Sequence, residues 1–364
     1  MRRTTPLPPE LPITGLLAYC RAGFEAECGE ELLQAGLKLG CQVSVEAVAS
    51  SGFVRLRSVR PDRRLQQVEW SSLIFARQLL LEVAELTDLP ERDRLTPLLT
   101  ALQGWPLKVG SVWLETADTN EAKELSGFCR RFGDKLLPAL RQAGLVAGTE
   151  DGVRLVLFWR SHAQVHLALA MPGNRSEWPQ GIPRLRMPFE APSRSTLKLA
   201  EAIQVFMSAE EEQQRFKSSM RAVDLGAAPG GWTWQLITRG LKVLAVDNGP
   251  LKGNVQGHPQ VRHFRQDGFR FKPDQPVDWL VCDMVEQPVR VARLMADWLA
   301  DGLAREAIFN LKLPMKKRLA EVERCFDEIR ERLHGVPYQL EARQLYHDRE
   351  EITVYLRRLS ARKR

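Results

Sequence analysis

The sequence predicts an α/β protein, with a C-terminal doubly wound, Rossmann-like domain preceded by an α+β region. Three observations carry this. From residue 195 onward, apolar runs of strand length alternate with helical stretches, the order of a mainly parallel sheet. The first of these runs, VDLGAAPGGW (residues 223–232), breaks at a glycine-bearing turn that opens a helix. Between 172 and 194 stand Pro172, Pro179, Pro183, Pro188 and Pro192, which neither a helix interior nor a central strand accepts. The domains are therefore drawn as a flexible Pro-rich N-terminus (1–14), an α+β region (15–171), a connector (172–194) and the doubly wound domain (195–364).

In chain order, GLLAYCR (15–21) reads as a strand and 24–37 as a helix with Cys28, Leu32 and Leu33 on one face. SGFVRLR (51–57) alternates apolar and polar residues, as a half-buried strand does. SVWLETAD (111–118) and VRLVLFW (153–159) are strands around a helix at about 121–143. VRLVLFWRSHAQVHLALA continues as strand, turn and strand, which keeps His162 and His166 off one helical face and argues against a metal pair there. In the C-terminal part the strands are RAVDLGA (221–227), LKVLAVD (241–247), VRHFRQD (261–267), VDWLVCD (277–283) and EAIFNLKL (306–313), with GWTWQLITRG (231–240) helical. Leu319, Val322, Phe326, Ile329 and Leu333 recur at helical spacing. YQLEARQLY and EITVYLRRL close the domain as two strands.

The 364 residues suffice for two or three domains of about 100–200 residues each. Hydrophobic residues at 44% and charged residues at 27% exclude global disorder. No run approaches about 18 apolar residues, so no membrane span is predicted. The start, MRRTTPLPPELPITG, has no apolar stretch of the signal-peptide kind. Cys20, Cys28, Cys41, Cys129, Cys282 and Cys325 show no CxxC spacing, so neither a disulfide framework nor a metal site is expected. A cytoplasmic, monomeric protein is the expectation. The balance of 52 basic against 45 acidic residues favours a polyanionic partner only slightly. Placement says more: Arg175, Arg184, Arg186, Arg194 and Lys198 cluster at the connector, Lys312, Lys316, Lys317 and Arg318 lie within seven positions, and Arg357, Arg358, Arg362, Lys363 and Arg364 end the chain.

The glycine turn departs from the GxGxxG dinucleotide pattern, because Gly226, Gly230 and Gly231 are spaced GxxxGG with Pro229 inside. Strand before and helix after it still suit a nucleoside-type ligand. Asp247 ends the next strand, where a carboxylate can accept from ribose hydroxyls, and Asp267 could accept from an exocyclic amine. Either Asp could equally be a helix cap or turn residue, but Asp247, Asp267 and Asp283 end three strands in a row. Cys282 lacks the preceding proline of a cysteine nucleophile and reads as packing. The residues after Asp283 contain no Pro-Pro-aromatic loop. Trp113 and Trp159 sit in strands and read as core rather than as base-stacking platforms.

LGAAPGGW with Asp247 and Asp283 resembles the class I S-adenosylmethionine-dependent methyltransferases. RSTLKLAEA, VCDMVEQP, FNLKLPMKKR and LYHDREEITVYLRR extend the resemblance to bacterial enzymes that methylate the ribose 2′-hydroxyl of a cytidine in 23S ribosomal RNA. CRAGFEAECGEEL, SSLIFARQ and LETADTNEAKEL are similar to the RNA-binding, THUMP-containing half of the same enzymes. The resemblance covers nearly the whole chain. It implies a Lys-Asp-Lys-Glu tetrad, here Lys198, Asp283, Lys312 and Glu351, the last preferred over Glu350. It implies an S-adenosylmethionine pocket lined by Ser195, Gly226, Ala228, Pro229, Gly230, Gly231, Asp247, Asp267 and Asp283. It implies 23S ribosomal RNA as partner, met before subunit assembly is complete. Lys312 would take the hydroxyl proton, its pKa brought down by burial and by Lys198, while Asp283 and Glu351 orient the lysines. The basic run 316–318 and the C-terminal arginines would contact phosphates. A base-modifying methyltransferase and a non-catalytic RNA-binding protein are the alternatives.

Overall fold

A computed structural model describes residues 7–147, 149 and 151–359. The chain forms two compact units, Met1–Pro183 and Arg184–Arg364, so the boundary falls inside the Pro-rich connector.

The first unit contains β1 (Gly15–Tyr19), α1 (Glu25–Lys38), β2 (Val43–Ala47), β3 (Phe53–Ser58), β4 (Gln78–Leu86), α2 (Leu95–Leu102), β5 (Ser111–Glu115), α3 (Lys123–Gln142), β6 (Arg154–Ser161) and β7 (Gln164–Ala170). Its seven strands form one sheet in the order β2-β3-β1-β4-β7-β6-β5. Only the edge pair β5–β6 is parallel. Leu17, Tyr19, Phe53, Val156, Phe158 and Ala168 share one core cluster on this sheet. β4 escapes a pattern search because QLLLEV is buried almost continuously and does not alternate. Arg55 is buried in the sheet, where its guanidinium meets Glu82 at 2.7 Å, Glu85 at 2.8 Å and Glu46 at 3.0 Å. His166 lies on β7, and its Nδ1 contacts Glu82 at 2.8 Å.

One expectation changes here. Residues 1–6 lie outside the described residues, but the rest of the expected flexible N-terminus is packed. Leu7, Leu11 and Ile13 are buried, and Arg63 donates to the carbonyls of Leu7 and Pro8. An apolar residue between prolines still gains by burial, and a proline-rich stretch gives up little chain entropy when fixed. Arg175, in the connector, is packed as well. It is buried and donates to the carbonyls of Gly152 and Ala170.

The second unit runs α4 (Thr196–Phe206), α5 (Ala209–Arg215), β8 (Arg221–Leu225), α6 (Gly231–Thr238), β9 (Lys242–Val246), β10 (Val261–Phe264), β11 (Val277–Cys282), α7 (Pro288–Ala300), β12 (Ala304–Lys312), α8 (Arg318–Arg332), β13 (Tyr338–Arg343) and β14 (Glu351–Arg358). The sheet order is β10-β9-β8-β11-β12-β14-β13. The first five of these are parallel. β14 runs antiparallel to both β12 and β13. The strand order reverses between β8 and β11, which opens a crevice at their carboxyl ends. Trp279, Phe216 and Tyr355 pack with α4 and α6 residues such as Ile203 and Leu236 in the core cluster of this unit. On α8, Val322, Cys325 and Ile329 are the buried face, with Leu333 just beyond. That helix packs against α7.

Candidate active site

The antiparallel turn of β14 is what assembles the site. The parallel strands deliver their last residues to one edge of the sheet, and β14 starts from that same edge. Lys312, last in β12, therefore pairs in register with Glu351, first in β14. Asp283 follows the end of the adjacent β11, and Lys198 comes from the first turn of α4. The four side chains converge. Lys312 Nζ lies 2.7 Å from Asp283 Oδ1 and also bonds Glu351 Oε2. Lys198 Nζ lies 3.3 Å from both Asp283 oxygens and 2.5 Å from Glu351 Oε1. Each carboxylate thus bridges both lysines. Glu350 is turned away, its carboxylate paired with Arg318 at 2.7 Å.

The acid–base state of Lys312 departs from expectation. Burial does push its pKa down, but Asp283 and Glu351 together outweigh burial and hold it above the ordinary lysine value. Lys312 is an ammonium here. Lys198 is a neighbouring cation, but the two carboxylates in contact with Lys312 decide the direction. Cys282 is fully buried and its thiol is pushed up to about 12 by desolvation, so it is packing, not a nucleophile.

Asp283 also faces a cleft of about 430 Å³, whose other walls include Gly226, Ala228, Asp247, Asn248, Asp267, Phe269 and Met284. Its size suits a nucleoside-type ligand. Gly226 has φ +78°, and a Cβ there would fall 2.6 Å from Met284 Cγ, so a side chain would fill the cradle. Asp247 accepts from the backbone N–H groups of Ala228 at 3.0 Å and Gly249 at 2.7 Å, which fixes two loops of the cleft and leaves lone pairs for ribose hydroxyls. Asp267 is exposed and accepts from Phe269 N at 2.9 Å. Asp247, Asp267 and Asp283 among its walls suit a ligand that carries a sulfonium and an amino cation. Pro229, Gly230, Gly231 and Ser195 do not line this cleft. Gly231 and Ser195 form the contact between the glycine turn and the start of α4, where Ser195 Oγ meets Ser193 Oγ at 2.7 Å and Ser195 O accepts from Trp232 Nε1 at 2.9 Å, whereas Gly230 faces Val255 and Pro192, and Pro229 O accepts from Lys252 N at 3.0 Å.

Several residues escaped the sequence reading. Asn248 and Phe269 each sit one or two positions from an Asp already singled out. Asn310 interrupts the apolar run of β12 as Lys312 does, two residues earlier and on the same face, and that was a usable signal. Glu201, one turn along α4 from Lys198, accepts from Tyr346 N, His347 N and His347 Nδ1, and so ties down the loop leading to Glu351. Lys316 and Lys317 are exposed beside the site. Arg318 is buried instead, and Arg358 donates to the carbonyl of Leu299. Arg357 flanks Glu306 at 3.7 Å. Arg362, Lys363 and Arg364 lie outside the described residues.

The first unit holds a cavity of about 450 Å³ between β5 and α3. Its buried carboxylate, Glu115, is already engaged by Tyr19 Oη at 2.9 Å and Gln180 N at 2.7 Å. No comparable tetrad stands there among the described residues.

Fold, cleft and tetrad define an S-adenosylmethionine-dependent methyltransferase, and residues 191–313 match the FtsJ-like methyltransferase model. Residues 13–80 match the RlmM ferredoxin-like domain, and 93–169 the N-terminal model of ribosomal RNA large subunit methyltransferase M. The chain is 48% identical over 351 residues to ribosomal RNA large subunit methyltransferase M of Thauera aminoaromatica, covering 95% of this chain and 96% of that one. It is 50% identical over 347 residues to the protein of the same name from Laribacter hongkongensis (95% and 97% covered). It is 49% identical over 352 residues to that of Methylococcus capsulatus (95% and 99%). The chain belongs to the ribosomal RNA large subunit methyltransferase M family.

Proposed function

We propose that this chain transfers the methyl group of S-adenosylmethionine to the ribose 2′-hydroxyl of a cytidine in 23S ribosomal RNA, acting as a cytoplasmic monomer on RNA not yet fully assembled into the subunit. The first unit, together with exposed basic residues such as Lys316 and Lys317, would hold the RNA by charge and shape. The observation that carries the reading is the convergence of Lys198, Asp283, Lys312 and Glu351 beside a nucleoside-sized cleft. The relatives' name supports the RNA.

Gly226, Ala228, Asp247, Asp267 and Asp283 would hold S-adenosylmethionine. When bound, it supplies a methyl that is already electrophilic on a sulfonium centre. What the chain must add is a positioned nucleophile and a destination for its proton. A 2′-hydroxyl reaching the tetrad meets ammonium donors and carboxylate acceptors fixed against one another, so its oxygen is held in one orientation. Alignment of this kind can be worth about 7–11 kcal/mol. Lys312 accepts the proton once it is itself neutral. Asp283 and Glu351 oppose that neutral state, whereas a further cation in the site favours it. The base role therefore belongs to the loaded site. Lys198 orients the hydroxyl and keeps both carboxylates occupied.

The test uses unmodified 23S RNA and assembled large subunits, each incubated with protein and methyl-tritiated S-adenosylmethionine and then digested to nucleosides. Label on the sugar of one cytidine, from free RNA and not from assembled subunits, is expected. Label on a base overturns the reading.

A further inference from the structure

Behind the tetrad lies a second row of polar side chains. Asn310 and Thr353 pair in register on β12 and β14, two residues inward from Lys312 and Glu351 and on the same face. Asp348 precedes β14. All three are fully buried. Asn310 Nδ2 lies 2.9 Å from Asp283 Oδ1. Thr353 Oγ1 lies 2.8 Å from Asn310 Oδ1, and 3.2 and 3.0 Å from the two oxygens of Asp348. Asp348 Oδ2 accepts from Leu345 N at 3.0 Å.

Hydrogen counting decides the direction of this row. Thr353 has one hydroxyl hydrogen and faces three acceptor oxygens. If it donates to Asp348, the Asn310 carbonyl oxygen is left against a bare lone pair in a buried site. Turning the Asn310 amide over only moves the conflict to Asp283, where two oxygens would meet. Every contact is satisfied in a single arrangement, with one hydrogen supplied by Asp348 to Thr353, one by Thr353 to Asn310 and one by Asn310 to Asp283.

We infer that Asp348, Thr353 and Asn310 are positioning residues for the methyl transfer, a one-way hydrogen-bond relay that starts at a neutral carboxylic acid and fixes Asp283 Oδ1 toward Lys312. The inference rests on the reading above. The electrostatics agree with it: burial, then the nearby Glu351 charge, holds Asp348 well above the usual carboxylate range. A neutral acid donating a hydrogen bond suits a site that already holds two carboxylates, since a third buried charge there would be repelled.

The experiment compares Thr353→Val with Thr353→Ser, and Asp348→Leu with Asp348→Asn, in the full-length protein, by steady-state methylation of 23S RNA, S-adenosylmethionine KM and thermal melting. Thr353→Val and Asp348→Leu should lose about tenfold or more in kcat with KM for S-adenosylmethionine little changed, the size expected for a hydrogen bond to a charged group. Thr353→Ser should recover most of the loss. So should Asp348→Asn, because an amide still donates to Thr353 and still accepts from Leu345. Asp348→Asn as damaging as Asp348→Leu overturns the inference, as does a folded Thr353→Val protein with wild-type kcat. Infrared difference spectra of wild type against Asp348→Asn at neutral pH should show a protonated-carboxyl band. This readout needs no substrate, so it separates failure of the relay from failure of the methyl-transfer reading, which would instead appear as no transfer by the wild type.

Discussion

Lys312 and Glu351 face each other across β12 and β14, in register and in direct contact. Asp283 and then Glu351 hold the Lys312 pKa above the ordinary lysine value against the effect of burial, so a base at this position must work against its own carboxylate neighbours. A consequence for pH follows. The pKa of Lys312 is raised, so the neutral fraction is small at neutral pH and grows about tenfold per pH unit until the pKa is reached. Single-turnover transfer should therefore rise steeply between about pH 6 and 8, and level off only above the pKa of the loaded complex. Lys312→Ala and Lys312→Arg should both lose at least about a hundredfold in rate, with S-adenosylmethionine affinity by calorimetry close to wild type. Arginine keeps the charge but cannot give up its proton. A flat pH profile, or an active Lys312→Arg protein, would show that the proton leaves by another route.

A second titration concerns stability. Asp224 is buried beneath the glycine turn, where it accepts from Thr233 Oγ1 at 2.6 Å. Burial, and then the charges of Asp283 and Asp247, push it up to about 7 from 3.8, against the opposing pull of Thr233. Since the folded value is raised, the fold holds a proton that the unfolded chain releases. The stabilisation is complete below about pH 4 and is lost as pH rises through about 7. Asp224→Asn keeps the group neutral and can still accept from Thr233. Its melting temperature should match wild type near pH 4 and exceed it near pH 8. Parallel melting curves across that range would mean Asp224 carries its charge at no cost to the fold.

Much of this was legible in the sequence. Glycine turn, strand-end carboxylates and a lysine inside an apolar strand all depend on local pattern, and each lies at the edge of the second sheet where the pattern places it. β4 was not legible, being a run of leucines without alternation. α7, PVRVARLMADWLA, does carry a helical period, with Ala292, Met295, Ala296 and Leu299 buried and Arg290 and Arg293 exposed, and that was a usable signal. The relation of Glu351 to Lys312 depends on β14 running antiparallel, which short-range pattern does not encode. The same holds for electrostatics. The family resemblance implies Lys198 near Lys312, but the sign of the Lys312 shift depends on Asp283 and Glu351 as well.

The glycine turn and the tetrad are mechanically joined at Gly231, which gives a prediction about geometry rather than charge. A Cβ on Gly231 would fall 2.3 Å from Ser195 Oγ, 2.4 Å from Ser193 Oγ and 3.0 Å from Thr196 N. The two hydroxyls could rotate aside, but the third atom is backbone at the start of α4. The start of α4 must therefore give by a few tenths of an ångström to admit one methyl group, and Lys198 is carried on the first turn of α4. Overpacking of this kind typically costs about 1–3 kcal/mol. Gly231→Ala should lower the melting temperature and reduce kcat more than S-adenosylmethionine affinity, because the cleft walls at Asp247 and Asp267 belong to other loops. Adding Ser193→Gly and Ser195→Gly removes two of the three clashes and should recover part of the melting temperature. Because Thr196 N still crowds the methyl at 3.0 Å, kcat should recover less. Full recovery of kcat in the triple variant would mean that the hydroxyls, and not the backbone of α4, transmit the strain to Lys198.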